Sequence, residues 1–130
     1  MNPTQSSPHE PLTQSQRRWR YAVTATLKDE QAQQRYIDWL FAGHVSEVCH
    51  WAEEAEVCVL DDRSGSEDHS QWRVLSIYWF TNQKSFSRYE LDGASALRAE
   101  GVALAHELGG IDFERAVGWS WMVNRLESLS

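Results

Sequence analysis

From Trp19 to Leu27 the residues alternate, with Trp19, Tyr21, Val23, Ala25 and Leu27 on one side and Arg20, Ala22, Thr24 and Thr26 on the other. A period of two with aromatic and β-branched content predicts a strand. The period then changes. Asp29 is placed to cap a helix in which Ala32, Tyr36, Trp39 and Leu40 recur on one face. Gly43 is a natural stop, and Val45, Val48, Cys49 and Ala52 predict a second short helix. Val57 to Leu60 is a brief apolar run and Gln71 to Phe80 a strong strand signal. The polar stretch 61–70 (DDRSGSEDHS) joins them as the long exposed loop of a hairpin. Thr81 or Asn82 caps a helix that buries Phe86 and Tyr89 and breaks around Asp92-Gly93. A longer helix carries Leu97, Gly101, Leu104, Ala105 and Leu108 on one stripe, and Gly109-Gly110 ends it. Phe113 to Val123 closes the pattern as a strand, with Phe113, Val117, Trp119, Trp121 and Val123 on one face.

The predicted order is β-α-β-β-α-β with each helix interrupted once. This is the ferredoxin-like α+β arrangement, a four-stranded antiparallel sheet with helices on one face. The domain is expected over 17–126. Residues 1–16 hold all three prolines with Ser, Gln and Thr and read as a flexible tail, and 127–130 as a short one. A sheet with helices on one side and water on the other alternates cleanly. Here Leu75, Ile77 and Trp79 oppose Trp72, Val74, Tyr78 and Phe80, so both sides are apolar. The uncovered side must meet something, and a second copy of the same sheet is the simplest partner.

Composition sharpens that expectation. A chain of 130 residues with 42% hydrophobic content makes one domain with a real core. Seven tryptophans exceed what one small core absorbs, which again points to a shared interface. The net charge of −7 argues against nucleic acid, because phosphate binding needs a basic face. Arg17-Arg18-Trp19-Arg20 is too short a cluster to supply one and reads as the solvated start of a strand. Cys49 and Cys58 form neither a C-x-x-C pair nor a disulfide framework. With no apolar leader and no stretch of membrane-spanning length, a cytoplasmic protein with buried thiols is expected.

Three sequence segments add a resemblance: YIDWLFAGHVSEV (36–48), YELDGASALRAEG (89–101) and FERAVG (113–118). They resemble the DUF4286 family of small bacterial proteins, in which a W-L-x-x-x-H stretch, an A-x-L-R-A-E-G stretch and an F-E-R strand recur in this order. The stretch HWAEEAEV (50–57) departs from the family's glycine-containing turn. The resemblance implies the dimeric α/β barrel superfamily, in which two ferredoxin-like sheets pack together. That superfamily includes cofactor-free monooxygenases, lactone isomerases, haem-handling enzymes and ligand-sensing domains, so it fixes a fold and leaves the activity open.

The candidate chemistry is sparse. His44 follows Trp39-Leu40 at a helix break, where a neutral imidazole could act as a base in a pocket between helix and sheet. The plainer alternative is a histidine that packs the turn. Glu47, Cys49, His50 and Glu54 carry metal-capable atoms, but only His50 and Glu54 could share a helical face, and one pair is not a site; no metal and no cofactor is expected. Arg98 or Arg115 could grip a carboxylate, or else form an ion pair that ties helix to strand or one dimer partner to the other. Arg115 shares the parity of Phe113 and Val117, so it should face an apolar layer and need a partner, for which Glu100 or Glu47 would suffice. Tyr36, Trp39, Tyr78, Tyr89, Trp119 and Trp121 could wall a pocket for a flat ligand, or simply form core and interface. No phosphate loop, catalytic triad order or H-E-x-x-H is present. The expectation is a homodimer paired through its sheet that binds a small metabolite between helices and sheet through Trp39, His44, Tyr78, Tyr89, Arg98 and Arg115. The rivals are a cofactor-free enzyme acting on a small aromatic or carboxylate substrate, with His44 as base, and a protein-interaction module using the tail or the 61–70 loop.

Overall fold

The sheet is built around β1 (Arg17–Leu27), which pairs antiparallel with β3 (Trp72–Phe80) on one side and β4 (Asp112–Trp121) on the other. Adding β2 (Glu54–Val59) outside β3 gives the order β2-β3-β1-β4. This is the ferredoxin-like topology expected for two crossovers flanking a hairpin. The protein is seen as a computed structural model that describes residues 17–60 and 71–123. The tails at 1–16 and 127–130, the 61–70 loop and the end of the expected domain lie outside the described residues.

The helices begin where the side chains can cap them. Asp29 accepts from the Ala32 amide at 2.8 Å to start α1 (Glu30–Trp39), and Asn82 accepts from the Ser85 amide at 2.9 Å to start α3 (Gln83–Asp92). α1 runs into a π-helical turn, Leu40–His44, whose Gly43 leaves helical geometry, and then into α2 (Val45–Val48). α3 breaks at Gly93, and α4 (Ala94–Glu107) follows. Gly109 and Gly110 both take positive φ (85° and 112°), and the Gly110 amide donates back to the Ala105 carbonyl at 2.7 Å. Among the described residues no helix is long and apolar enough to cross a membrane.

β2 starts at Glu54, three residues before the apolar run that predicted it, and Leu60 falls outside it. The Glu53 amide donates to the Trp79 carbonyl at 2.9 Å, and Glu54 pairs with Trp79. An edge ladder is made by backbone groups, so the exposed Glu54 and Glu56 side chains do not oppose it. Because Glu54 is in a strand, the helical spacing that would set it beside His50 does not exist. No group of three metal-capable side chains occurs among the described residues.

The helix-covered face carries two core clusters. Tyr21, Val23, Val48, Tyr78, Phe80, Tyr89 and Leu97 belong to one; Ala25, Leu27, Ala32, Tyr36, Leu40, Val74, Leu104 and Leu108 belong to the other. Between them on β3 lies Ser76, a buried hydroxyl in an otherwise apolar row. None of the seven tryptophans is fully buried in the single chain, and Trp121 is exposed. On the open face Ala22 and Ile77 are buried, with half-buried Leu75 and Trp79 beside them. The Trp79 indole reaches across β1 to donate to the Ser120 hydroxyl at 3.3 Å, and Arg18 lies over its ring while pairing with Glu53 and Glu54. An apolar patch results, bordered by charge at the Arg18 end and by Glu56 on β2 beside Ile77. Cys49 and Cys58 are half-buried rather than fully so.

Candidate functional site

A cavity lies at the seam of the two core clusters, between the helices and the sheet. All six residues singled out as site candidates line it: Trp39, His44, Tyr78, Tyr89, Arg98 and Arg115. The π-turn after α1 supplies His44, the break between α3 and α4 brings Tyr89 and Arg98 to the same side, and β4 contributes Arg115. The segments 36–48, 89–101 and 113–118 supply ten of the fourteen lining residues.

The walls are aromatic and their hydroxyls stay protonated. Burial pushes the Tyr36 phenol up to about 12, against smaller lowering effects from the Ser76 hydroxyl and the Arg115 guanidinium. Burial, reinforced by the neighbouring phenols, raises Tyr78 further, and burial raises Tyr89 as well. These side chains are hydrogen-bond donors at neutral pH. His44 stacks on Trp39, and burial pushes its imidazole down to about 4, so the ring is neutral.

At the other end two cations meet one oxygen. The Arg115 Nε donates to the Tyr21 hydroxyl at 3.1 Å, and an Arg98 terminal nitrogen donates to the same oxygen at 3.5 Å. Arg98 also pairs with Glu90 at 2.6 Å across the break between α3 and α4. Arg115 shares the helix-side parity of Phe113 as expected, yet it is exposed rather than buried, and among the described residues it pairs with neither Glu100 nor Glu47. Trp119 and Trp121 do not line the cavity. Trp119 packs edge-on against Trp19 at 5.0 Å, with Arg17 stacked 3.7 Å over its ring.

Three buried polar atoms of this cavity have no hydrogen-bond partner among the described residues: His44 Nδ1, Ser76 Oγ and Arg98 Nε. The Ser76 hydroxyl is near enough to Tyr36 to steady its phenolate but makes no bond of good geometry with it. Buried polar groups are nearly always satisfied, so three orphans around one space mark a place built for something polar. The cavity volume is about 30 Å³. That is room for about two waters, well short of the few hundred Å³ of a drug-sized site. A larger ligand must part the two interrupted helices. A shallower groove of about 270 Å³ near Lys28, Gly109 and Asp112 has no aromatic wall and none of the candidates.

Sequence reasoning missed Tyr21 and Ser76. Tyr21 reads as one more strand aromatic, since its role depends on arginines 77 and 94 residues away. Ser76 was visible in principle, as a polar residue at the parity of Val74 and Tyr78.

No family model and no curated protein matches the sequence, so the likeness to the DUF4286 family rests on the three segments alone. Solved structures do share the fold. A dimeric ferredoxin-like protein from an uncultured marine organism has a TM-score of 0.62 at 11% identity, over 85% of this chain and 99% of its own. A second protein of that description has a TM-score of 0.54 at 10% identity, over 87% and 97%. A monooxygenase from the gene ActVA-Orf6 of Streptomyces coelicolor, in complex with nanaomycin D, has a TM-score of 0.54 at 12% identity, over 84% and 90%. These similarities establish an α+β ferredoxin-like fold.

Proposed function

We propose that this chain forms a homodimer through its open sheet face and binds a small molecule in the cleft between helices and sheet. The observation that carries the reading is the convergence of three unpartnered buried polar atoms, from a histidine, a serine and an arginine, on one aromatic-walled cavity. Leaving such groups unpaired costs about 1–3 kcal/mol each, a cost that a polar ligand or bound water offsets. Two of the structures that share the fold are described as dimeric, and the third is a monooxygenase in complex with nanaomycin D. Both descriptions fit a chain with an apolar patch on its open face and aromatic cleft walls.

Binding is favoured over the cofactor-free enzyme by the state of His44. A base works best with a pKa near the working pH, and burial holds this imidazole near 4 with no group among the described residues to orient its Nδ1. As a neutral donor or acceptor it suits ligand recognition better than proton abstraction. The test is a thermal-shift screen of small aromatic acids, phenols, quinones and lactones against the full chain. A native-state ligand raises the midpoint by mass action. A shift that His44→Ala and Tyr78→Phe reduce supports the reading, and a flat response across the whole set overturns it.

A further inference from the structure

The two guanidiniums at the mouth of the cleft outnumber their carboxylates. Among the described residues Glu90 is the one acid paired with Arg98, and none pairs with Arg115. The remaining polar wall is neutral, since the imidazole is deprotonated and the Tyr36, Tyr78 and Tyr89 phenols are protonated. The mouth therefore holds one uncompensated positive charge in a chain whose net charge is −7. Both guanidiniums point at a single neutral oxygen, the Tyr21 hydroxyl, a weaker acceptor than a carboxylate. The Nε of Arg98 is buried and makes no bond.

We infer that the ligand of this cleft carries a carboxylate, gripped between Arg98 and Arg115 with the Tyr21 hydroxyl as a third contact. The inference rests on the cleft reading and adds the ligand's chemical class. A phenol oxygen can accept two hydrogen bonds and donate one, so Tyr21, which both arginines hold and which lies within bonding reach of the Tyr89 hydroxyl, can turn its proton to an anion. A planar carboxylate matches the guanidinium fork, which a point anion does not. The present cavity, with room for about two waters, suits the two oxygens of such a head group. The apolar body of the ligand would lie along Tyr36, Trp39 and Tyr89. The exposed position of Arg115 gives the anion a path in from solvent.

The experiment titrates the full chain with 2-naphthoate and with its neutral isostere 2-naphthamide, following the His44 ring resonances by NMR. The expected result is at least tenfold tighter binding of the carboxylate, with the His44 signals moving. Arg115→Gln should abolish that preference, weakening the carboxylate by at least tenfold more than the amide. Arg115→Lys, which keeps the charge but loses the fork, should retain part of it and also serves should the glutamine variant not fold. Equal binding of the two probes, or an equal loss for both in Arg115→Gln, overturns the carboxylate inference and leaves the cleft standing. Naphthoate binding that leaves His44 unmoved places the anion elsewhere and also overturns it. If neither probe binds, the carboxylate inference falls, and the thermal-shift screen alone decides the cleft reading.

Discussion

The imidazole of His44 lies face to face with the indole of Trp39, ring centres 4.2 Å apart and planes 23° from parallel. The contact belongs to a neutral histidine. Burial lowers its pKa from 6.5 to about 4, so protons bind the unfolded chain in preference between those values. Stability from the neutral ring is complete above pH 6.5, declines as the pH falls toward 4 and declines no further below that. The full drop corresponds to at most about 3 kcal/mol, reduced by the solvent contact the ring keeps. His44→Phe retains the stacking and removes the titration. Urea unfolding at pH 7.5, 6 and 4.5 should show a shallower pH slope for the variant than for the parent chain, whereas parallel slopes would mean that the imidazole is not buried as described.

Tyr21 joins two elements, α4 through Arg98 and β4 through Arg115. Tyr21→Phe keeps the ring in the core and deletes the shared acceptor. Hydrogen bonds to charged groups contribute about 1.5–3 kcal/mol when well made, and the 3.5 Å contact is the weaker of these two. A loss of about 1–2 kcal/mol is expected in chemical denaturation. A cycle with Arg115→Gln should be non-additive, because both changes remove the same bond. Additive losses would show that the bond contributes nothing.

Gly93 sits where α3 ends and α4 begins, at an ordinary φ of −130°, so its backbone is not what requires glycine. The Trp51 ring does. A Cβ at position 93 would come within 2.5 Å of Trp51 Cη2 and 2.7 Å of Cζ3, and Trp51 is itself set edge-on to Tyr89. Gly93→Ala is expected to cost about 1–3 kcal/mol by overpacking and to loosen the cleft wall at Tyr89. Trp51→Leu should absorb the added methyl, leaving the double variant more stable than the sum of the single losses implies. Thermal unfolding of the three variants checks this.

The helix boundaries were legible because they are local. Asp29 and Asn82 cap through bonds to an amide three residues away, and the breaks near Gly43 and Gly93 appear as interruptions in a periodic pattern. The start of β2 was not legible, since Glu54 and Glu56 hide a strand whose backbone, at the sheet edge, does the pairing. For the site, strand parity and helix breaks brought all six candidates to one cavity. Of the two readings parity allowed for Trp119 and Trp121, pocket wall or core and interface, the first does not hold: both share that side of β4 but do not line the cavity. The arginine partners were out of reach too. That Arg98 meets Glu90 depends on the angle between α3 and α4, which no pattern of residues reports.

The proposed dimer separates two residues that composition alone treats alike. Ile77 lies on the open face, paired with Ala22 on β1 and with the exposed Glu56 on β2, and flanked along its strand by Leu75 and Trp79. Trp121 sits at the sheet's end, paired with Arg17 and on the helix side of β4. If two copies pack open face to open face, Ile77→Glu sets one carboxylate from each near the two-fold axis. Burying such charges without partners costs several kcal/mol per ion, enough to dissociate a dimer at micromolar concentration. Trp121→Glu should leave the dimer intact. Light scattering on both variants, with circular dichroism to confirm that each stays folded, gives the answer. Leu75→Glu repeats the test at a half-buried position should Ile77→Glu unfold the subunit. The opposite pattern, with Trp121→Glu monomeric and the open-face variants dimeric, would move the interface to the end of β4. There the exposed Val117, Trp121, Met122 and Val123 would be the apolar surface that a second copy covers.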